Sequence, residues 1–102
     1  MSNFILNTSF HINKKYVPQF IDWARNTYIP QALNSGLFSN PLFTHLLIEV
    51  EPDTDSFAIH LNTKDIEKAV EWHDSTAAAL KQKLHLDTDK SALYFTTYMQ
   101  EL

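Results

Sequence analysis

Residues 13–36, NKKYVPQFIDWARNTYIPQALNSG, decide the fold. Val17, Phe20, Ile21, Ala24 and Tyr28 recur at spacings of three and four, which predicts a long amphipathic helix with one apolar face. Asn13 is placed to cap its start, although Pro18 favours a regular helix that begins nearer Val17. Pro30 must kink the helix or restart it as a last turn, because a proline donates no backbone hydrogen bond. Gly36, the only glycine in the chain, then ends it in a left-handed conformation. An apolar face of this length needs a cover, and the flanking segments read as strands.

Before the helix, Phe4, Leu6, Thr8, Phe10 and Ile12 alternate with Ile5, Asn7, Ser9 and His11, giving a strand with one well-buried face. After it, residues 42–51 form a second strand, with Leu42, Thr44, Leu46, Ile48 and Val50 expected inward and Phe43, His45, Leu47 and Glu49 opposite. The turn residues Pro52 to Asp55 return the chain as a third strand, residues 56–62, with Phe57, Ile59 and Leu61 inward. A second helix follows, capped by Thr63 or Asp65, with Ile66, Val70, His73, Ala77, Leu80 and Leu84 on one stripe. Residues 92–100 alternate again as a fourth strand, with Leu93, Phe95, Thr97 and Met99 expected inward.

Strand, helix, strand, strand, helix, strand is the order of the ferredoxin-like α+β fold. Right-handed crossovers then give a four-stranded antiparallel sheet in the order 4-1-3-2 with both helices on one face. At 102 residues and 44% hydrophobic content, the whole chain, 1–102, is read as one domain. The uncovered face is expected to carry Asn7, Ser9, His45, Leu47, Ala58, His60, Tyr94, Thr96 and Tyr98. A mixed aromatic and polar face of this kind predicts a homodimer packed sheet to sheet.

Twelve acidic against eight basic residues give a net charge of −4, which argues against nucleic acid as a partner. The absence of cysteine excludes disulfides, thiolate catalysis and thiolate metal sites. A single glycine cannot build a phosphate-cradling loop, so no nucleotide cofactor is expected. The first residues, MSNFILNTSF, lack the basic flank and apolar run of a signal peptide, and nothing approaches the ~20 apolar residues of a membrane span. A cytoplasmic protein with no membrane partner is the expectation.

The pattern of the whole chain resembles an uncharacterised family, domain of unknown function 4286. The resemblance is carried by Ile29-Pro30, Ala32 and Gly36-Leu37-Phe38, and by the acidic hairpin from Glu49 to Asp55. It continues in Phe57-Ala58-Ile59, Ala78-Ala79-Leu80 and the aromatic last strand. Family members often carry His where this chain has Tyr28, and an amide at the position of His60. The resemblance implies a ferredoxin-like fold of the kind that forms dimeric α+β barrels. It implies no reaction.

Five residues are candidates for a ligand pocket: Trp23, Tyr28, His73, His45 and His60. His73 interrupts an apolar stripe, either as a core histidine bonded to a neighbour or as a proton carrier in a pocket lined by Tyr28 or Trp23. His45 and His60 are expected as diagonal neighbours on the open face, packing an interface or, with Glu49, forming a weak divalent site that lacks further ligands. No metal or cofactor is assigned. One reading is a non-enzymatic dimeric module that binds a small hydrophobic molecule or another protein. The alternative is a cofactor-free monooxygenase or isomerase of the dimeric barrel type acting on an aromatic or quinone-like substrate, with His73 or Tyr28 as acid or base. An enclosed cavity walled by those two residues would mark the second.

Overall fold

The structure, a computed structural model, describes residues 2–102, apart from the side chains of Glu49 and Val50. The faces that the alternation assigns to those two side chains therefore lie outside the described residues. β1 (Phe4–Asn13), β2 (Phe38–Glu51), β3 (Thr54–Thr63) and β4 (Leu93–Gln100) form one antiparallel sheet in the order β2-β3-β1-β4. This is the order expected from the sequence, read from the other edge. Two helices cross its one covered face, and none of the described helices is long and apolar enough to cross a membrane.

The first helix runs from Val17 to Asn34 in three pieces: α1 (Val17–Trp23), a wide π turn (Ala24–Tyr28) and α2 (Ile29–Asn34). Asn13 accepts from the Lys15 N–H, and the α-helix opens at Val17 with Pro18 in its first turn. Phe20, Ala24, Tyr28 and Ala32 are all fully buried at a constant spacing of four. A straight α-helix turns about 100° per residue, so such a row would drift by about 40° at each step. The π turn cancels that drift, with the Ile29 N–H reaching the Ala24 carbonyl five residues back, just before Pro30 removes a donor. Gly36 closes the helix at φ +77°.

The second helix repeats the device. Asp65 caps α3 (Ile66–Trp72) by accepting from the Lys68 N–H, a π turn follows (His73–Ala77), and α4 (Ala78–Asp87) completes it. Of the stripe expected from a regular helix, Ala77 and Leu84 are buried and Leu80 packs partly buried against the core, while the inserted residue brings Lys81 inward as well. Ala69, Trp72, Ala77, Lys81 and Leu84 are the buried set.

Between helices and sheet lies an aromatic core. The Phe10 ring meets Phe20 at 5.0 Å, Trp23 at 5.8 Å and Tyr28 at 6.3 Å, while Tyr28 and Phe38 both pack on Trp72. Leu6, Ile12, Ile59 and Leu61 fill the rest of the inward faces of β1 and β3 as the alternation predicts.

The two edge strands are turned over relative to expectation. In β2, Phe43 packs on Phe20 and Phe57, and His45 stacks on Phe57 at 4.8 Å, so these odd-numbered residues lie on the helix side. Leu42, Thr44 and Leu46 are on the open face. The register explains it: from Leu46 to Glu51 is five steps along β2, against two from Ser56 to Thr54 along β3, so the strand bulges there. A slip of one residue moves every side chain to the opposite face. In β4, Tyr94, Thr96 and Tyr98 face the helices, whereas Leu93 and Phe95 are 60% and 58% exposed on the open face.

Candidate functional site

Beneath the second helix the sheet holds a chain of polar groups. Thr8 of β1 and Thr96 of β4 are cross-strand partners, and their hydroxyls bond at 2.8 Å. Thr96 Oγ1 lies 2.9 Å from His73 Nε2 and accepts from Lys81 Nζ at 3.2 Å. Lys81 Nζ also lies 2.6 Å from His73 Nε2 and sits 5.0 Å over the Tyr94 ring. On the other side of the imidazole, Nδ1 is 3.2 Å from Asp74 Oδ1. A carboxylate only accepts, so Nδ1 carries the ring proton and Nε2 presents its lone pair to Lys81.

The electrostatics of the group follow from its burial. Lys81 is only 3% exposed, and no carboxylate of the described residues forms an ion pair with it. Loss of hydration pushes its pKa down to about 8, with the charge of Asp74 opposing the fall. His73 is likewise held below the usual imidazole range, first by burial and then by the Lys81 charge. The Tyr28 hydroxyl ends near Thr8, is buried without a partner in hydrogen-bond geometry, and is pushed up to about 12 by burial. Tyr98, edge-on to the His73 ring at 5.8 Å, is also raised by burial and by Asp74.

The five candidates are divided among three places. Trp23 and Tyr28 stack at 5.0 Å in the core, whereas His73 belongs to the bonded chain of Thr8 and Thr96, near which the Tyr28 hydroxyl ends without a bond. His45 and His60 are not neighbours on one face. His45 stands on the helix side, 3.7 Å from Asp55, whereas His60 is on the open face opposite Asn7 and Leu42. The expected diagonal pair assumed Glu51 opposite Ser56, and the bulge in β2 removes that register. Among the described residues no three His, Cys, Asp or Glu side chains converge as a metal site.

Rings occupy the space in which an acid-base pocket was expected, since Tyr28 is fully buried against Phe10, Trp23 and Trp72. The surface grooves lie elsewhere. One of about 150 Å³ is bordered by Ile21, Arg25, Phe43 and His45, and one of about 370 Å³ by Gly36, Phe38, Thr63 and Lys68. A third, of about 200 Å³, runs beside Leu47 and Ile48 at the hairpin end.

Lys81 was missed in the sequence because a regular helix turns it about 100° away from the stripe. One signal could have found it: residues 69, 73, 77 and 81 keep the spacing of four that residues 20, 24, 28 and 32 show in the first helix.

The open face is a second candidate surface, and the register sorts it into rows across the sheet. From β4 to β2 these are Leu93–His11–Ser56–Leu46, Phe95–Ser9–Ala58–Thr44, Thr97–Asn7–His60–Leu42 and Met99–Ile5–Asn62–Ser39. In the first two rows Ser56, Ser9 and Ala58 lie in the middle beside His11, and the exposed Leu93, Phe95, Met99, Leu42 and Leu46 stand on the edge strands.

Known proteins add the following. The family model described as "Domain of unknown function (DUF4286)" matches residues 3–102. No curated protein matches the chain. Its fold is similar to that of a dimeric ferredoxin-like protein from an uncultured marine organism, with a TM-score of 0.69, 14% identity, and coverage of 100% of this chain and 97% of that one. It is also similar to the de novo designed protein Foldit4, with a TM-score of 0.55, 11% identity, and coverage of 98% and 99%.

Proposed function

The chain belongs to the DUF4286 family, and from that starting point we propose that it works as a homodimeric binding module whose open sheet face is the subunit interface. The observation that carries this reading is the row pattern of that face. Leu42, Leu46, Leu93, Phe95 and Met99 are all at least 36% exposed on one surface of the single chain. An apolar face of this extent in a soluble molecule marks a contact surface. Two sheets stacked face to face bury such rims against each other at a spacing of about 10 Å.

The small residues between the rims, Ser9, Ser56 and Ala58, leave a trough along the twofold axis of the pair. Among its polar neighbours are His60 and His11, the latter bonded through Nδ1 to Ser56 Oγ at 2.9 Å, so a small hydrophobic ligand with one polar end is the occupant we propose for it. The marine protein of similar fold is described as dimeric, which supports a paired state without saying which face pairs. The ring-filled core around Tyr28 favours this module over a monooxygenase or isomerase that uses Tyr28 as acid or base.

Sedimentation at micromolar concentration tests the proposal. The expected result is twice the 11.8 kDa chain mass for the wild type, and the single-chain mass for Phe95→Glu with an unchanged circular dichroism spectrum. A wild type that sediments as one chain refutes it.

A further inference from the structure

Lys81 is the group that neither the core nor the sheet pairing uses. A core chosen for stability alone would hold a methionine or leucine there, since a buried ammonium without a carboxylate partner is costly. Its Nζ instead meets three uncharged partners: His73 Nε2 at 2.6 Å, Thr96 Oγ1 at 3.2 Å and the Tyr94 ring at 5.0 Å. Asp74 fixes the His73 tautomer so that the nitrogen facing the amine is a proton acceptor. An amine beside a positioned base, with that base oriented by a third group, is the arrangement of an activated nucleophile.

We infer that Lys81 is a nucleophilic amine that condenses with a small carbonyl compound, an aldehyde or a 2-oxo acid, with His73 carrying the protons. The ammonium first passes a proton to His73 Nε2, and the freed lone pair on Nζ attacks the carbonyl carbon. The carbonyl π pair moves to oxygen, and proton transfer gives a neutral carbinolamine. His73 then returns its proton to the hydroxyl, which leaves as water while the nitrogen lone pair forms the C=N bond. No oxidant or reductant takes part. Tyr98, a 39% exposed side chain on the edge strand, stands edge-on to the His73 ring at 5.8 Å, and a change of its rotamer is the way in that the reaction requires. The depressed amine pKa, about 8, leaves part of the population neutral near pH 7. The inference does not depend on how the open face pairs.

The experiment traps the imine in the full-length protein with cyanoborohydride, using glyoxylate in one arm and acetaldehyde in the other, and maps the product by peptide mass spectrometry. Labelling of Lys81 ahead of the exposed lysines in either arm is the expected result, and the arm that labels faster shows whether a carboxylate aids binding. His73→Phe is expected to slow Lys81 labelling at least about tenfold, within the range for loss of a general acid-base. Asp74→Asn is expected to move the pH profile of labelling to lower pH, because the Asp74 charge raises the pKa of the amine. Lysines labelled in order of exposure in both arms, or Lys81 labelling indifferent to His73, would overturn the inference. Circular dichroism of each variant separates a lost reaction from a lost fold.

Discussion

Replacing Lys81 by Met is predicted to stabilise the protein. A lysine whose pKa falls from 10.5 to about 8 on folding penalises the folded state wherever it is charged in both states. At about 1.4 kcal/mol per unit the penalty is ~3 kcal/mol, and an imperfect fit of the replacement side chain is expected to leave about 2 kcal/mol of it as gain. Methionine fills a similar volume, and His73 Nε2 and Thr96 Oγ1 stay bonded to each other at 2.9 Å, so no polar group is orphaned. The expected gain at pH 7 is about 2 kcal/mol, or roughly 10 °C in Tm for a chain of this size. The sign of the pH dependence follows from the depressed folded pKa. Below pH 8 the penalty is complete; above it the folded state sheds the proton while the unfolded chain keeps it, so wild-type stability climbs toward pH 10. Beyond pH 10 it declines, because Tyr28, raised to about 12, holds its proton in the folded state after the unfolded chain has released it. Urea melts followed by tryptophan fluorescence, at equal protein concentrations from pH 7 to 10, check both parts. A wild type whose stability is flat between pH 8 and 10, or a Lys81→Met variant less stable at pH 7, would show that the amine is not held as described.

Two further substitutions probe the frame around the cluster. Tyr28→Phe removes a buried hydroxyl that has no partner while leaving the Thr8–Thr96 bond intact, so stability is expected to stay within about 0.5 kcal/mol or rise by up to about 1 kcal/mol in the same urea melts. Gly36→Ala meets nothing within 4 Å, so its only cost is the left-handed backbone at φ +77°, about 1 kcal/mol, seen as a lower thermal midpoint with an unchanged spectrum.

The strands at the centre of the sheet were legible and those at its edges were not, for one physical reason. β1 and β3 have neighbours on both sides, and most of their large apolar residues fall on one face, with Ile5 the exception, so alternation alone orients them. β2 and β4 carry large apolar side chains on both faces, Phe43 against Leu42 and Leu46 in one, Tyr94 against Leu93 and Phe95 in the other. Where both faces are apolar, alternation does not distinguish core from contact surface, and the bulge between Leu46 and Glu51 removed the turn as a guide. His73 was legible as the odd residue in an apolar stripe. Its partner Lys81 was not, because the extra residue of the π turn is invisible to a count based on 3.6 residues per turn.

Those π turns change what a deletion would do. Both follow a tryptophan, Trp23 in one half of the chain and Trp72 in the other, and each holds one residue more than the regular ladder needs. Loss of a single residue between 74 and 76 would let an ordinary ladder form while everything downstream kept its bearing, Lys81 still pointing inward. The same loss between 78 and 80, outside the wide turn, would swing the rest of the helix by about a quarter of a revolution and carry the amine out into water. Chain length here is therefore tolerant at one spot and strict at the next.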